Sequence, residues 1–508
     1  MKAWATLPTL AVRLGDGELP AADADTLVAV QVRQAVQAPA QCEVIFRDPG
    51  GPLLKRASGL VGGALDLGVD GAAEALFSGE VTAVELAYGA DGERELRVRG
   101  YDRLHRLRKH QPVRMFTDVD ARTLAEQLVA DCGLEVDGAV SGPAWPLLMQ
   151  WRQTDLDLLA ETAARAGLWF AASGGALRLF SLEGTGDPIP LALGETLFEA
   201  RLELNGEHAI EAVHALAWDP LTGKRSDAEA TAARTARAIQ ADVAASAFGS
   251  DGRRTLCDIP LPGPQAEAAA QAVIDRACAA RAGLWGVAQG DPALRPGARV
   301  EVAGVATAFV GTYVITEVTH TVDAERGYLS EISSRLPAPV SAPRPDGAVV
   351  TSGLVTSVDD PEGLGRVQAS LPTYPSLVTG WMRVVVLAAG PDKGLVCLPD
   401  VDDEVLVVLP RGDPSLGLVL GGLFGAHAPP DQAGVAHAAV RRHTWRTAGG
   451  QQVQLDDDGR SIALTNQGGS SLTLAPKQVV LHAATDLEIS APGRKITIRA
   501  DSVDFRKA

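Results

Sequence analysis

The most regular hydrophobic pattern in the chain lies at residues 441–508. Apolar pairs recur there every 7 to 10 residues, and in most pairs one polar or small residue separates the two members. Alternate residues of a strand point to the same side, so both members of a pair share one face of a short strand. Turn-forming residues lie between the pairs. The pairs are Val453/Leu455, Ile462/Leu464, Leu472/Leu474, Val479/Leu481, Leu487/Ile489, Ile496/Ile498 and Val503/Phe505.

A single ladder of such short strands has nowhere to bury its apolar face. Two assemblies would bury it: a single-chain solenoid, or three chains wound together so that each supplies one face of a prism. About seven strands give one chain barely two triangular turns, whereas a solenoid needs at least ~3 repeats. The pattern therefore favours three chains, and the six pairs from Val453/Leu455 to Ile496/Ile498 are the expected core of the needle.

Residues 348–425 show a second pattern, in which short apolar strands alternate closely with turn signals. About five strands are predicted within fewer than ~80 residues. Closing such strands into a barrel removes the unpaired edges that they would otherwise expose. The pattern predicts a small barrel of the oligonucleotide/oligosaccharide-binding (OB) type.

Residues 1–337 mix strand patterns with a few capped helices. Thr154 followed by Asp157 predicts the start of a helix that stops at Gly167, and residues 120–133 show a similar pattern. These helices are short additions to a strand-rich body. His320 lies on an alternating strand, where a packed, hydrogen-bonded histidine is favoured over a catalytic one.

Two Pro-rich segments divide the 508 residues into three domains. Proline fixes φ and removes a backbone donor, so residues 338–347 and 426–440 are predicted to be linkers. The frequent Gly and Pro residues, 53 and 31 in number, favour turns and short strands over helical folds. The expected fold class is mainly β with some α.

The formal charge of −17 argues against a nucleic-acid partner, because binding a phosphate backbone requires a concentrated Lys/Arg surface.

The five cysteines are scattered and have no metal-ligand spacing, which favours reduced cysteines and no bound metal. The first ten residues lack the apolar core of a signal peptide. Assembly in the cytoplasm, without a signal peptide, is therefore expected.

A family resemblance becomes specific in the middle segment. The runs that carry it are Asp360-Pro-Glu-Gly-Leu-Gly-Arg-Val367, Trp381-Met-Arg383, Asp403-Glu-Val-Leu-Val407 and Gly412-Asp-Pro414. In this order they resemble the OB barrel of VgrG-like spike proteins of contractile injection systems, such as type VI secretion, phage tails and extracellular phage-tail-like particles. The motif residues of the barrel are Asp360, Pro361, Gly363, Gly365, Arg366, Trp381, Arg383, Glu404, Gly412, Asp413 and Pro414.

The resemblance extends upstream, where residues 294–302 and 311–320 look like the end of the family's baseplate-hub domain. It implies a hub of β-barrels with short helices at 1–337, an OB-fold barrel, and a triple-stranded β-helix needle formed by a homotrimer at 441–508. One departure is Asp402, where family members commonly have Gly before the Asp-Glu-Val run.

The resemblance also implies the partners. They are two further copies of the chain, inner-tube and baseplate proteins, a PAAR-like tip protein contacted by Val503 and Phe505, an effector cargo, and the target membrane or envelope. No Walker, HExxH, GxSxG or Rossmann pattern occurs in a suitable context, so no catalytic, cofactor or metal residue is predicted. The expected function is a structural hub and spike that pierces a target envelope.

Two functions of other classes remain alternatives to the spike. The first is a cell-wall hydrolase whose C-terminal repeat is a trimeric stalk that presents a catalytic domain. The second is a glycan-binding adhesin, because OB barrels and β-helices can both bind glycans.

Overall fold

A computed structural model gives the fold of the chain. It describes residues 7–49, 51–90, 92–219, 224–259, 263–338, 347–374, 377–424 and 428–506. Most of the predicted linker at 338–347 lies outside the described residues, and so do residues 1–6 of the N-terminal segment, where no signal peptide is expected. The chain divides into two compact units, Met1–Gly421 and Gly422–Ala508.

The first unit begins with the region predicted to be a hub. Its strands are β1 (Leu10–Leu14), β2 (Gly17–Glu18), β3 (Leu27–Ala35), β4 (Gln41–Arg47), β5 (Ala64–Val69), β6 (Phe77–Tyr88), β7 (Arg94–Tyr101), β8 (Arg114–Val119), β9 (Glu135–Asp137), β10 (Trp145–Gln150), β11 (Trp169–Ser173), β12 (Ala176–Phe180), β13 (Thr185–Ala192), β14 (Leu197–Leu204), β15 (Ala212–Asp219), β16 (Lys224–Ala230), β17 (Arg253–Ile259), β18 (Ala282–Gln289), β19 (Ala298–Ala303), β20 (Gly311–Val314), β21 (Glu317–Asp323) and β22 (Gly327–Ser333). Its α-helices are α1 (Ala21–Ala24), α2 (Gly51–Arg56), α3 (Ala121–Val129), α4 (Asp155–Arg165) and α5 (Gly263–Ala280).

Eleven of these strands form one sheet, in the order β14-β18-β22-β21-β3-β4-β7-β6-β5-β1-β2. Smaller sheets have the orders β10-β8, β11-β12-β9, β13-β19-β20 and β16-β15-β17. Alternating burial along β4, with Cys42, Val44 and Phe46 inside, shows that one face of the large sheet covers a core. The sheets are half-barrels and the fold is mostly β, which confirms the expected fold class.

Helix α4 begins and ends where the sequence predicts. The Thr154 side chain accepts a hydrogen bond from the Asp157 backbone N–H, and the Asp157 side chain accepts one from the Thr154 N–H, which completes a capping box. After the helix, Gly167 has φ of 71°, a left-handed conformation that glycine adopts without steric cost. The apolar side of α4 packs with α3 into a buried cluster that includes Leu124 and Leu158. No helix among the described residues is both long and apolar enough to cross a membrane.

The remaining strands of the first unit form the barrel. They are β23 (Ala348–Ser357), β24 (Gln368–Ser370), β25 (Arg383–Val384), β26 (Ala389–Gly390), β27 (Lys393–Gly394), β28 (Glu404–Pro410) and β29 (Leu418–Gly422). Five of them form a sheet in the order β24-β23-β28-β29-β25. Bridges from Val367 to Met382 and from Ser370 to Val378 join the two ends of this sheet. Strands β26 and β27 form a separate hairpin.

The barrel shares its core with the hub. Met149 of β10 is 3% exposed and packs in the same cluster as the inward residues Val355 and Val407 of the barrel. Its cross-strand neighbour on β8, Met115, is 36% exposed. Hub and barrel are therefore held in one compact unit, although 338–347 is predicted to be a linker.

The second unit is a ladder of short strands. Its strands are β30 (Val435–Ala436), β31 (Ala439–Val440), β32 (Arg442–Arg446), β33 (Gln452–Asp456), β34 (Ser461–Thr465), β35 (Ser471–Ala475) and β36 (Gln478–His482). Strands β30 and β31 form a small hairpin within the segment predicted to be the second linker. Strands β32 to β36 pair consecutively and antiparallel in one sheet.

We expect Met149→Ala to destabilise hub and barrel together. Removing a buried Met side chain costs about 2–5 kcal/mol, because contacts are lost and a cavity remains. Calorimetry of the full chain should show one transition for both parts, shifted to lower temperature. Met115→Ala is the matched control and should change the midpoint little. A barrel that unfolds at its original temperature in Met149→Ala would contradict the shared core.

Candidate functional site

The antiparallel register of the ladder aligns the predicted apolar pairs into two rows on one face. Val453 lies opposite Leu464, which in turn lies opposite Leu472. The first row is Trp445, Val453, Leu464, Leu472 and Leu481, and the second is His443, Leu455, Ile462, Leu474 and Val479. The structure thus brings the first four predicted pairs of the needle core together.

Large parts of this apolar face are left exposed by the described residues of the chain. Seven of its large apolar side chains are 41–68% exposed: Trp445, Leu455, Ile462, Leu464, Leu474, Val479 and Leu481. A contiguous exposed apolar surface of this kind is characteristic of an interaction site. The ladder therefore presents an exposed apolar face that the described residues of its own chain do not cover.

The last three predicted pairs lie beyond β36. Their six side chains are all exposed, and none of them lies in a strand of the described chain. They are Leu487, Ile489, Ile496, Ile498, Val503 and Phe505. The single chain thus forms no strand at these positions. Their contribution to the needle core, and the contact of Val503 and Phe505 with a tip protein, stay predictions.

A polar cluster at the start of the ladder was not anticipated from the sequence. The Arg442 guanidinium donates to both carboxylate oxygens of Asp431, at 2.7 and 2.8 Å, and Gln454 Nε2 donates to the same carboxylate at 3.1 Å. Hydrogen bonds from Arg442 lower the pKa of Asp431. The cluster ties the segment before the ladder to β32 and β33. Asp431 lies in the Pro-rich segment, where no hydrophobic periodicity predicts its contact with Arg442.

In the barrel, the structure brings Asp360 and Arg366 together as a buried ion pair. The guanidinium donates from Nη2 to Asp360 Oδ1 at 2.7 Å and from Nε to Oδ2 at 3.0 Å. The same carboxylate accepts from the backbone N–H groups of Glu362, Leu364 and Arg366. Hydrogen bonds from Arg366 hold the pKa of Asp360 well below its usual range. The motif residues thus fold the loop after β23 around one carboxylate.

The other motif residues of this loop have conformational roles. Gly363 and Gly365 have φ of 65° and 71°, in the left-handed region that glycine favours. Pro361 lies at the start of the same turn. Three further motif positions lie elsewhere in the barrel: Trp381 just before β25, Arg383 on β25 and Glu404 at the start of β28.

The Gly412-Asp413-Pro414 run forms the turn after β28. Gly412 has φ of 67°, and the Asp413 side chain accepts a hydrogen bond from the Ser415 backbone N–H at 3.0 Å. Pro414 begins a short 3-10 helix, Pro414–Leu416. This geometry is that of a turn.

Asp402 occupies a tight turn in a left-handed conformation, with φ of 68°. Its backbone N–H donates to the Val355 carbonyl at 3.0 Å, and Asp403 N–H donates to the Asp400 carbonyl at 3.1 Å. Asp tolerates this region better than most residues do. The departure at Asp402 thus retains the conformation that a glycine would adopt.

His320 is a packed residue of the hub core. Its Nδ1 lies 2.9 Å from Ser330 Oγ and 3.2 Å from the Tyr328 hydroxyl. Burial lowers the pKa of His320 to about 4, so the ring is neutral near pH 7. Within the described part of the chain, no cluster of three or more His, Cys, Asp or Glu side chains could hold a metal ion.

Two family models match the chain. Residues 351–424 match the model described as the type VI secretion system/phage-baseplate injector OB domain. Residues 63–324, more than half of the chain, match the model described as the Alg8 N-terminal domain. No curated protein matches the chain.

Solved structures share this fold over most of the chain. The E. coli c3393 protein, described as a component of the type VI secretion system similar to the phage T4 tail proteins gp27 and gp5, is 14% identical, with a TM-score of 0.51 over 82% of this chain and 100% of its own. A lidless PdpA–VgrG complex is 9% identical, with a TM-score of 0.52 over 93% of this chain and 97% of the matched chain. A half-lidded Francisella PdpA–VgrG complex is 9% identical, with a TM-score of 0.51 over 94% of this chain and 87% of the matched chain.

The chain belongs to the Alg8 N-terminal domain family and has the fold of a VgrG-like spike protein. The resemblance seen in the barrel motif is thereby confirmed, and so is the OB barrel itself. The matches support a structural role in a baseplate or spike for this VgrG-like chain.

We expect Asp360→Asn to destabilise the barrel in a pH-dependent way. Breaking a buried ion pair from one side costs about 3–5 kcal/mol. Because the folded pKa of Asp360 is lowered, its stabilising effect is present above the unfolded value of about 3.9 and is lost as pH falls towards the folded value. Urea unfolding should show a large deficit at pH 7 that shrinks below about pH 4.

The exposed neighbour Asp359 provides the control for this substitution. Asp359→Asn makes the same chemical change outside the ion pair and should unfold like the wild-type protein at every pH. A deficit of Asp360→Asn that stays constant between pH 7 and pH 2.5 would contradict the role of the ionised carboxylate.

The left-handed turn at residue 402 gives a second prediction. Asp402→Val should lower stability by about 1–2 kcal/mol, because a Cβ-branched residue is strained at positive φ. Asp402→Gly should be at least as stable as the wild-type protein, since glycine adopts this conformation freely. Thermal unfolding measures both variants, and equal midpoints for Val and Gly would show that the turn does not require the left-handed conformation.

Proposed function

We propose that the chain assembles as a homotrimeric hub and spike of a contractile injection system, and that its role is structural and not catalytic. The uncovered apolar face of the ladder is the observation that carries this proposal. Water-exposed Leu, Ile and Val side chains each gain roughly 1.5–3 kcal/mol on full burial. A five-stranded single-layer sheet cannot bury them alone, and three copies wound around one axis can.

The trimer would form the needle of the spike. Cross-chain packing of the two apolar rows makes a rod whose strands are hydrogen-bonded along its length, and folding becomes coupled to association. The segment with Leu487, Ile489, Ile496 and Ile498, unpaired in the single chain, finds strand partners on the other two copies. Such a rod concentrates force from a contracting sheath on a small area of the target envelope.

The remaining partners follow from the same assembly. In this proposal the hub joins the spike to inner-tube and baseplate proteins, and the barrel, sharing a core with the hub through Met149, holds a fixed orientation to it. Val503 and Phe505 contact a PAAR-like tip protein, and an effector cargo travels with the spike. Assembly takes place in the cytoplasm, and delivery to or through the target envelope needs no signal peptide.

The mass of the purified protein tests the trimer. Three copies of the 52.9 kDa chain give about 159 kDa by light scattering. Ile462→Asp combined with Leu464→Asp should reduce this mass to that of one chain, because both residues are half-exposed in the single chain and buried in the trimer. A wild-type mass of 52.9 kDa would overturn the proposal.

Ala463 and Thr473 provide a matched control. They lie opposite each other on neighbouring strands, on the face away from the apolar rows. Ala463→Asp combined with Thr473→Asp makes the same substitution on the outer face and should leave the trimer intact. If both double variants dissociate equally, the apolar face is not the interface.

A further inference from the structure

The β26–β27 hairpin carries an exposed apolar surface that its own barrel does not cover. We define the arm as residues 385–398, which include this hairpin. The strands are two residues each, joined by the Pro391-Asp392 turn, and Leu395 N–H donates to the Ala388 carbonyl at 3.0 Å. No residue of the arm is buried, and Leu387 and Val396 are 93% and 82% exposed.

An arm of this composition is unlike an ordinary surface loop. Its sequence, VVLAAGPDKGLVCL, is mostly apolar. A lone two-stranded hairpin is at best marginally stable in water, and Leu and Val at its surface add to the exposed apolar area. The arm therefore requires a surface to pack against.

The same barrel also presents an apolar outer face. Strand β28 reads EVLVVLP, with Val405, Val407 and Leu409 buried in the barrel. The outward residues Leu406 and Val408 are apolar as well, so this part of the strand has the pattern of one that is covered on both sides. We define the outer face as the outward residues of β23, β28 and β29, namely Val350, Leu354, Leu406, Val408 and Leu420.

The register of β23 and β28 places these residues on one side of the sheet, with Ser352 opposite Leu406 and Glu404 opposite Leu354. Val350 pairs with Val408, and the neighbouring β29 places Leu420 on the same side. Val350, Leu354 and Leu420 are 55%, 40% and 42% exposed. The arm and the outer-face residues Val350, Leu354 and Leu420 are thus exposed in one chain, so the arm does not cover these residues within that chain.

We infer that the arm of one copy packs on the outer face of the next copy around the spike. This inference rests on the proposed trimer. Each chain carries both halves of the contact, and a head-to-tail contact between unlike surfaces closes into a ring when the rotation permits. In a ring of three copies, each of the three arms then packs on one of the three outer faces. A foreign partner that covered only one of these surfaces would leave the other exposed.

The arm exchange adds a function to the barrel. It locks neighbouring barrels side by side, independently of the needle. Because each barrel shares the core cluster of its hub, the contact also fixes the hubs relative to one another. The load on the needle would be transmitted to all three hubs through these contacts.

Cross-linking of the full chain tests the inference, since the arm contains a native exposed cysteine, Cys397. Leu354→Cys places a second thiol on the outer face. A short bismaleimide should then join copies into covalent dimers and trimers on a denaturing gel. Adding Cys397→Ser to this variant should abolish the products. Asp359→Cys, exposed on the loop after β23, is the positional control and should give at least tenfold less product.

Substitutions in the arm provide a second measurement. Leu387→Asp combined with Val396→Asp, in the Leu354→Cys background, should reduce cross-linking at least tenfold. Val61→Asp combined with Tyr88→Asp changes two exposed apolar residues of the hub and should leave cross-linking unchanged. Both arm residues are exposed in the single chain, so the fold itself tolerates the change.

The outcomes separate this inference from the proposed function. A protein of trimeric mass that gives no Cys397-dependent product, or that cross-links equally from Asp359→Cys, overturns the arm exchange and leaves the trimer standing. A monomeric wild-type protein overturns both. Cross-linking that requires Cys397, Leu387 and Val396 supports the exchange.

Discussion

A sheet one layer thick has no interior, and the second unit of this chain is such a sheet. Its strands satisfy their backbone hydrogen bonds within the ladder, while two rows of apolar side chains remain in water. Backbone pairing and side-chain burial are thus separated between β32 and β36: these strands pair within one chain, and burial of their apolar rows is left to association. The proposed trimer and its needle both depend on this division.

The first unit, by contrast, buries apolar side chains inside the chain itself. Its sheets cover cores of their own, and Met149 extends the barrel core into the hub. The barrel loop is fixed by a single carboxylate, Asp360, that gathers Arg366 and three backbone N–H groups. A unit with buried cores of its own, joined in sequence to a ladder with an uncovered apolar face, fits the structural role proposed for the chain.

Local patterns predicted much of this correctly. Helix α4 follows from Thr154, Asp157 and Gly167, because capping and termination depend on neighbouring residues. The alternation in the ladder predicted which side chains share a face, and the register then placed them in two rows. The barrel motif was recognised from short runs around Asp360 and Arg366, which lie six residues apart.

Sequence alone thus determined the strand periodicity, the capped helices and the resemblance to VgrG-like spike proteins, since each depends on residues close together in the chain or on a recognisable motif. Only the tertiary structure revealed the contacts of Met149 with the barrel, of Arg442 with Asp431 and of the large hub sheet, because these join residues that no periodicity relates. Exposure was equally invisible in the sequence: Leu387 and Val407 are both apolar residues of the barrel region, and only the fold leaves one in water and buries the other.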